Sequence, residues 1–142
     1  MTPEQTAIVR ATWSQVSPIA DQAAVMFYDR LFEIDPSTEP LFKADGLPEQ
    51  RRKLMQTLDH LVQGLDRIED LVPAIQDLGR RHVAYGVRDA HYDSVGAALL
   101  WTLERGLGDH WTPEAKGAWT EVYTLTAGVM RDAAAAQATA TA

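Results

Sequence analysis

The stretch Leu71–Val87 (LVPAIQDLGRRHVAYGV) decides the reading of the chain. Leu71, Ile75, Leu78 and His82 follow one another at spacings of four, three and four residues. That spacing sets all four side chains on one face of a helix. The face is apolar until its last member, which is an imidazole. The ordinary explanation of such a histidine is a core residue hydrogen-bonded to a carbonyl, and this stripe alone points no further.

Two more stripes begin with a polar side chain. One is Gln50, Leu54, Leu58, Leu61 and Leu65; the other is Tyr92, Val95, Leu99 and Leu103. Burying an amide, a phenol and an imidazole without partners is costly for each group. Three such anomalies on three helices point to a shared cavity whose contents use them.

Composition bounds the answer. The 142 residues make one domain, residues 1–142, long enough for a real core. Hydrophobic residues are 46%, which argues for a folded rather than a disordered chain. A formal charge of −7 disfavours nucleic acid and anionic membrane surfaces as partners. The lack of cysteine excludes disulfides, thiolate catalysis, cysteine-held iron–sulfur clusters and covalent haem attachment, and it fits a reducing cytoplasm. No signal peptide is visible, and no apolar run approaches the roughly 20 residues needed to span a bilayer.

The chain reads throughout as helices. Thr2-Pro3-Glu4-Gln5 is a helix start, with Thr as cap, Pro at the first position and Gln three residues after the cap. The first helix runs to about Val16, with Trp13 and Val16 inward. The second follows Ser17-Pro18, carries Ala24, Phe27, Tyr28 and Leu31 inward, and stops before Asp35-Pro36. A broken connection over 36–47 holds a short helical turn near Pro36–Pro40. Further helices are expected from Pro48 to about Leu65, from Leu71 to Tyr85, and from Tyr92 to Leu107. A last one starts at Thr112-Pro113 with Trp119, Val122, Leu125 and Val129 inward, and residues from about 136 to 142 form a flexible tail. No alternating β pattern and no repeat appears. The expected fold class is all-α, with about six main helices.

The chemistry narrows in the same way. His60, His82, His91 and His110 are scattered and make no zinc pair. No glycine-rich phosphate loop and no GxSxG elbow occurs. A buried planar cofactor would use the anomalous residues together. His82 would bind a metal on one side with Tyr92 near it, and Gln50 and Tyr28 would face the other side.

On these residues the chain resembles the bacterial single-domain globins. It is similar to the haem domain of flavohaemoglobins and to single-domain haemoglobins of the Vitreoscilla type. The carrying segments are Phe27-Tyr28-Asp29-Arg30-Leu31-Phe32, Leu41-Phe42-Lys43, Gln50-Arg51-Arg52-Lys53-Leu54, Arg81-His82-Val83 and Tyr92-Asp93-Ser94-Val95-Gly96, then Trp119 and Tyr123. Together they run from about Thr6 to Met130. The resemblance implies a globin fold around a pocket for non-covalent haem b, iron protoporphyrin IX. His82 matches the proximal iron ligand, and Phe42 matches the aromatic that packs on the haem plane. Tyr28 and Gln50 match the distal donors to bound O2, and Leu54 matches the apolar wall above them. Val87, Val95 and Leu99 would line the proximal side, where Leu78 joins His82 on its stripe. Arg81 and Lys53 would meet haem propionates or lie solvated. His60, about 15 Å along the helix from Gln50, is expected as a partly exposed histidine rather than a second ligand.

The chain departs from the flavohaemoglobin pattern at one point. The proximal histidine there is supported by a tyrosine and a glutamate. Tyr92 matches the tyrosine, but residues 133–136, where the glutamate should fall, are all alanine. The expected function is reversible binding of O2 and other diatomic gases (NO, CO), with oxygen transport as its role. Alternatives are nitric oxide dioxygenation, hence NO detoxification, with a separate reductase, and gas sensing, for which these residues encode no output domain. The expected assembly is a monomer or a homodimer.

Overall fold

The computed structural model describes residues 1–42 and 44–141, with the backbone alone at 44 and 137–141. Lys43 of the segment Leu41-Phe42-Lys43 lies outside the described residues, as do Ala142 and the side chains of most of the expected tail. Six α-helices make up the framework: α1 (Pro3–Val16), α2 (Ala20–Ile34), α3 (Leu47–Gln63), α4 (Ile68–Ala84), α5 (Asp89–Leu107) and α6 (Pro113–Thr141). Short 3₁₀ turns join most of them, the longest over Pro36–Leu41. No strand occurs among the described residues. No helix among them is long and apolar enough to cross a membrane.

Local chemistry sets the boundaries. Thr2 Oγ1 accepts the Gln5 N–H at 3.1 Å, and Gln5 Oε1 accepts the Thr2 N–H at 3.0 Å. This reciprocal cap starts α1 where the sequence places it. Thr2→Ala is expected to destabilise the fold by about 1 kcal/mol, measured as a lower urea midpoint at unchanged slope. α4 starts at Ile68, three residues earlier than the apolar stripe indicates. A 3₁₀ turn over Leu65–Arg67 feeds it, so Pro73 falls inside the helix, where it cannot donate to the carbonyl four residues back. α2 runs two residues past Phe32 to Ile34, because Pro36 constrains only Asp35 before it.

The inward residues named from the sequence on α1 and α2 are all buried: Trp13, Val16, Ala24, Phe27, Tyr28 and Leu31. Trp119 from α6 is 1% exposed and donates its Nε1–H to Thr12 Oγ1 at 2.8 Å. Trp13 packs on it at 6.1 Å between ring centroids and donates to Asp59 Oδ1 at 2.9 Å. These two indoles bind α1, α3 and α6 into one core and satisfy their polar ends while doing so.

The helix that carries His82 is held differently. α4 packs chiefly along α6, and it makes no comparable packing on α2, α3 or α5. The approach to α6 is close because residue 79 is glycine. A Cβ built there would lie 2.7 Å from the Met130 Cα, against backbone rather than a movable side chain. The turn after α4 depends on Gly86, whose φ of 88° suits glycine.

Candidate functional site

His82 ends the stripe on α4 and is half-buried there. Its Nδ1 lies 2.7 Å from the Leu78 carbonyl oxygen, one turn back. A carbonyl only accepts, so Nδ1 carries the proton and donates. Nε2 is thereby left with its lone pair, and no hydrogen bond to it occurs among the described residues. Burial lowers the His82 pKa; the Leu78 bond opposes that effect, and the Arg81 charge reinforces it. The imidazole is thus held neutral, in the tautomer that offers Nε2 to a metal. Tyr85 lies beside it, with ring centroids 5.8 Å apart. The Val87 N–H folds back to the His82 carbonyl at 3.0 Å, which fixes the turn out of the helix.

A second group of residues gathers on α2, α3 and the connection between them. Tyr28 is 4% exposed. Its ring meets Phe27 edge-on at 5.0 Å and Phe42 edge-on at 5.4 Å, and Phe42 leans on Phe32 at 5.8 Å. Gln50 and Arg51, from the first turns of α3, lie near enough to the Tyr28 hydroxyl to act on its ionisation. Burial raises the Tyr28 pKa, against the effects of Gln50 and Arg51, so the hydroxyl keeps its proton and can donate. Leu54 joins the same apolar group, and so do Val95 and Leu99, which were expected to line the His82 side with Val87; α5 packs along α2 and so places them in the group that holds Tyr28.

The buried side chains fall into two packed groups. Tyr28, Phe42, Leu54, Val95 and Leu99 belong to the larger, with the indoles. Leu78, Val87 and Tyr92 belong to the smaller, with Ile75 and Met130. Half-buried Leu61 and Tyr123 touch both. Leu71, Leu78 and His82 on α4 and Val87 in the turn after it are all half-buried. The connection at 41–42 bridges the two sides, since Leu41 reaches within 3.6 Å of where a side chain at Gly86 would begin.

Other expectations meet the structure in different ways. Tyr92 is buried, but among the described residues its hydroxyl has no hydrogen-bond partner and makes no bond to His82. The Arg131 guanidinium lies 5.0 Å from the centre of its ring, and Tyr123 donates to the Tyr92 carbonyl at 2.5 Å. Lys53 and Arg81 are exposed and lean on Glu49 at 3.9 Å and Asp77 at 3.3 Å on their own helices. His60 is exposed on α3.

The sequence reading missed a polar network at the rim. Asp35 accepts from the Ser37 hydroxyl at 2.5 Å and the Ser94 hydroxyl at 2.8 Å. The Ser37 oxygen lies 3.3 Å from His91 Nε2, and His91 Nδ1 accepts the Arg88 N–H at 2.9 Å. It ties the turn before Phe42 to the start of α5. Isolated Ser, Asp and His residues separated by more than 50 positions carry no periodic signal that could have revealed it.

A model of the globin family matches residues 25–130. The chain belongs to the globin family. An anaerobic nitrite reductase from Casuarina glauca is 31% identical to this globin over 136 residues, 86% of this chain and 85% of that protein. A neuroglobin from Chaenocephalus aceratus is 28% identical over 136 residues, 87% and 86% of the two chains. In three dimensions the globin is similar to a bacterial globin from Campylobacter jejuni. The TM-score is 0.84 at 22% identity, with 96% and 98% of the chains covered. This globin therefore shares the family's general character, a haem protein that takes gaseous ligands.

The residues present suit that group. A flat apolar ring needs two apolar walls and a metal ligand on its axis. The two packed groups offer the walls, and His82 offers an unengaged Nε2.

Proposed function

We propose that this globin reversibly binds O2 and other diatomic gases at haem b, with His82 as the iron ligand and Tyr28 and Gln50 on the opposite side. When bound, the haem would supply a ferrous iron able to take a diatomic gas. The commitment of His82 Nδ1 to the Leu78 carbonyl supports the reading most directly. A core histidine can make the same bond; what a metal ligand adds is the use of Nε2, which is left without a hydrogen bond among the described residues.

The chain's own residues carry the selectivity. Tyr28, protonated and shielded, has a hydroxyl to donate to the gas, and Gln50 steadies the phenol oxygen. Such donors count for more in a poorly hydrated pocket than in water. Phe42, Leu54, Val95 and Leu99 exclude water and protons, and so slow oxidation of the iron. Glutamine is a weak iron ligand compared with histidine, so Gln50 would leave the iron free for a gas rather than bind it. On the His82 side the Tyr92 hydroxyl has no carboxylate partner among the described residues, which argues against the push of electron density used in peroxidase chemistry. The Tyr28–Gln50 pair supports the finer likeness to flavohaemoglobin haem domains. The lack of cysteine supports a cytoplasmic setting.

The same pair supports a second reading, nitric oxide dioxygenation with a separate reductase. Sustained NO consumption with a reductase, against one turnover without it, separates the two. The named activity of the Casuarina relative makes nitrite consumption by the reduced protein worth following in the same assay.

Absorption spectra of the ferric and dithionite-reduced protein, with and without CO, test the core of the proposal. A five-coordinate ferrous spectrum that shifts with CO is expected. A six-coordinate ferrous spectrum before CO would mean that a side chain fills the open position. Tyr28→Phe should speed O2 release about tenfold, the worth of one hydrogen bond of about 1.4 kcal/mol. An unchanged rate would show that Tyr28 does not bond the ligand.

A further inference from the structure

The polar network at the rim runs in one direction. The Arg88 N–H donates to His91 Nδ1 at 2.9 Å. A ring nitrogen that accepts carries no proton, so in the neutral ring the proton sits on Nε2. Nε2–H donates to the Ser37 oxygen at 3.3 Å, across 54 positions of sequence. The Ser37 hydroxyl donates in turn to Asp35 Oδ1 at 2.5 Å, and from α5 the Ser94 hydroxyl donates to Asp35 Oδ2 at 2.8 Å. These hydroxyls, Ser37 before Ser94, hold the Asp35 carboxyl below the usual carboxylate range, so it stays charged and is the common acceptor. Ser37 and His91 are not a nucleophile and its base, because the nitrogen that faces Ser37 already holds the proton.

The chain of bonds joins the two sides of the site. Arg88 lies just past Gly86 and Val87, in the turn that leaves α4 after His82, and the Val87 N–H returns to the His82 carbonyl. Ser37 lies in the Pro36–Leu41 turn, which ends on Phe42; Phe42 meets Tyr28 edge-on at 5.4 Å. His91, in the middle, is 4% exposed, so water is poorly placed to replace a partner that its ring loses. Bonds in such a chain polarise and strengthen one another.

We propose that Asp35 and Ser37 are positioning residues: through His91 they couple the turn after His82 to the turn that ends on Phe42, and so set how fast a bound gas leaves. The effect on gas release rests on the haem reading above; the coupling of the two turns does not. A shift at either turn acts on the other, because the links are directional and the central ring has no spare partner. With the chain intact, Phe42 is held against Tyr28. With it broken, the Pro36–Leu41 turn parts from α5, Phe42 loses its fixed place, and Tyr28 holds the gas less well.

Amide hydrogen exchange of the purified full-length protein reads the coupling directly. Ser37 is exposed and Ser94 half-buried, and neither belongs to the packed core, so both tolerate substitution. Ser37→Ala should raise exchange at the distant Arg88 amide about tenfold, the worth of one hydrogen bond. Ser37→Thr keeps the hydroxyl and should restore protection. Ser94→Ala, made on α5, should raise exchange at the Thr38 and Phe42 amides to a similar extent. In the haem-loaded protein both alanine variants should release O2 several-fold faster and shift the C–O stretch of the CO complex, while Ser37→Thr matches wild type. Faster exchange in Ser37→Ala that stops at residues 37–42, with Arg88 unchanged, would overturn the proposal and leave the network a local cap of its turn. So would opening of both turns with O2 release and the C–O stretch unchanged, since the chain would then not act on Phe42. A wild-type protein whose reduced spectrum ignores CO would remove the haem reading alone, and the exchange rates would still decide the coupling.

Discussion

His82→Gly should release the haem, with affinity falling by more than the roughly 100-fold that loss of a partner behind a metal ligand can cost. The expectation comes from how few alternatives the site contains. His82 is held neutral by burial, and its Nδ1 proton is bound to the Leu78 carbonyl, so the unengaged Nε2 is the donor atom on that face. Tyr92, its buried neighbour in the sequence pattern, has a phenol whose pKa is raised by burial and which resists forming the phenolate a metal would want. His60 and His110 are exposed, and His91 has both ring nitrogens committed to Arg88 and Ser37. No other imidazole stands ready. Added imidazole should restore the ferrous and CO-bound spectra in His82→Gly, because the space left by the ring matches the ligand supplied. Retention of wild-type spectra without imidazole would remove His82 from the site. Loss of helical circular dichroism would show instead that the substitution unfolds α4.

Gly79→Ala should destabilise the protein by about 2 kcal/mol, although helix propensity alone predicts the opposite sign. Alanine in place of a mid-helix glycine gains about 1 kcal/mol when nothing is in the way. At Gly79 the added methyl would sit against the Met130 backbone, with its Cα at 2.7 Å and its carbonyl carbon at 2.9 Å. No rotamer change relieves a clash with backbone, and overpacking of that kind costs about 1–3 kcal/mol or more. The clash wins, and α4 must move away from α6. Because α6 is its main support, the displacement carries His82 with it, so haem retention should fall along with the urea midpoint. Gly117 provides the control. It lies on α6 with nothing within 4 Å of where a Cβ would stand, and Gly117→Ala should raise stability by about 0.5–1 kcal/mol. Equal effects at the two glycines would mean that α4 and α6 do not cross so closely in solution.

Much of this globin was legible in its residues. The helix starts at Thr2-Pro3 and Thr112-Pro113 are local chemistry, since a capping side chain and a proline at the first position act on neighbouring amides. The inward faces of α1 and α2 follow from 3.6-residue periodicity, and their predicted residues are buried. The anomalous stripes singled out His82, Gln50 and Tyr92, because a polar residue on an apolar face is visible without a structure. Tyr28 and Phe42 were less visible. Each reads as ordinary core or loop anchor, and the resemblance to known globins, not periodicity, selected them.

Sequence alone therefore determined the helices, their buried faces and the position of His82 at the end of an apolar stripe, because each depends on residues within one or two turns of one another. Tertiary structure alone decided that Tyr28, Phe42 and Leu54, from α2, the connection and α3, share one apolar group. It also decided that Gly79 is a crossing point and that Asp35, Ser37, His91 and Ser94 form one network. All of these depend on how the chain is placed in space rather than on the order of its residues. Such distances are set by how whole helices pack, and no local pattern of residues encodes them.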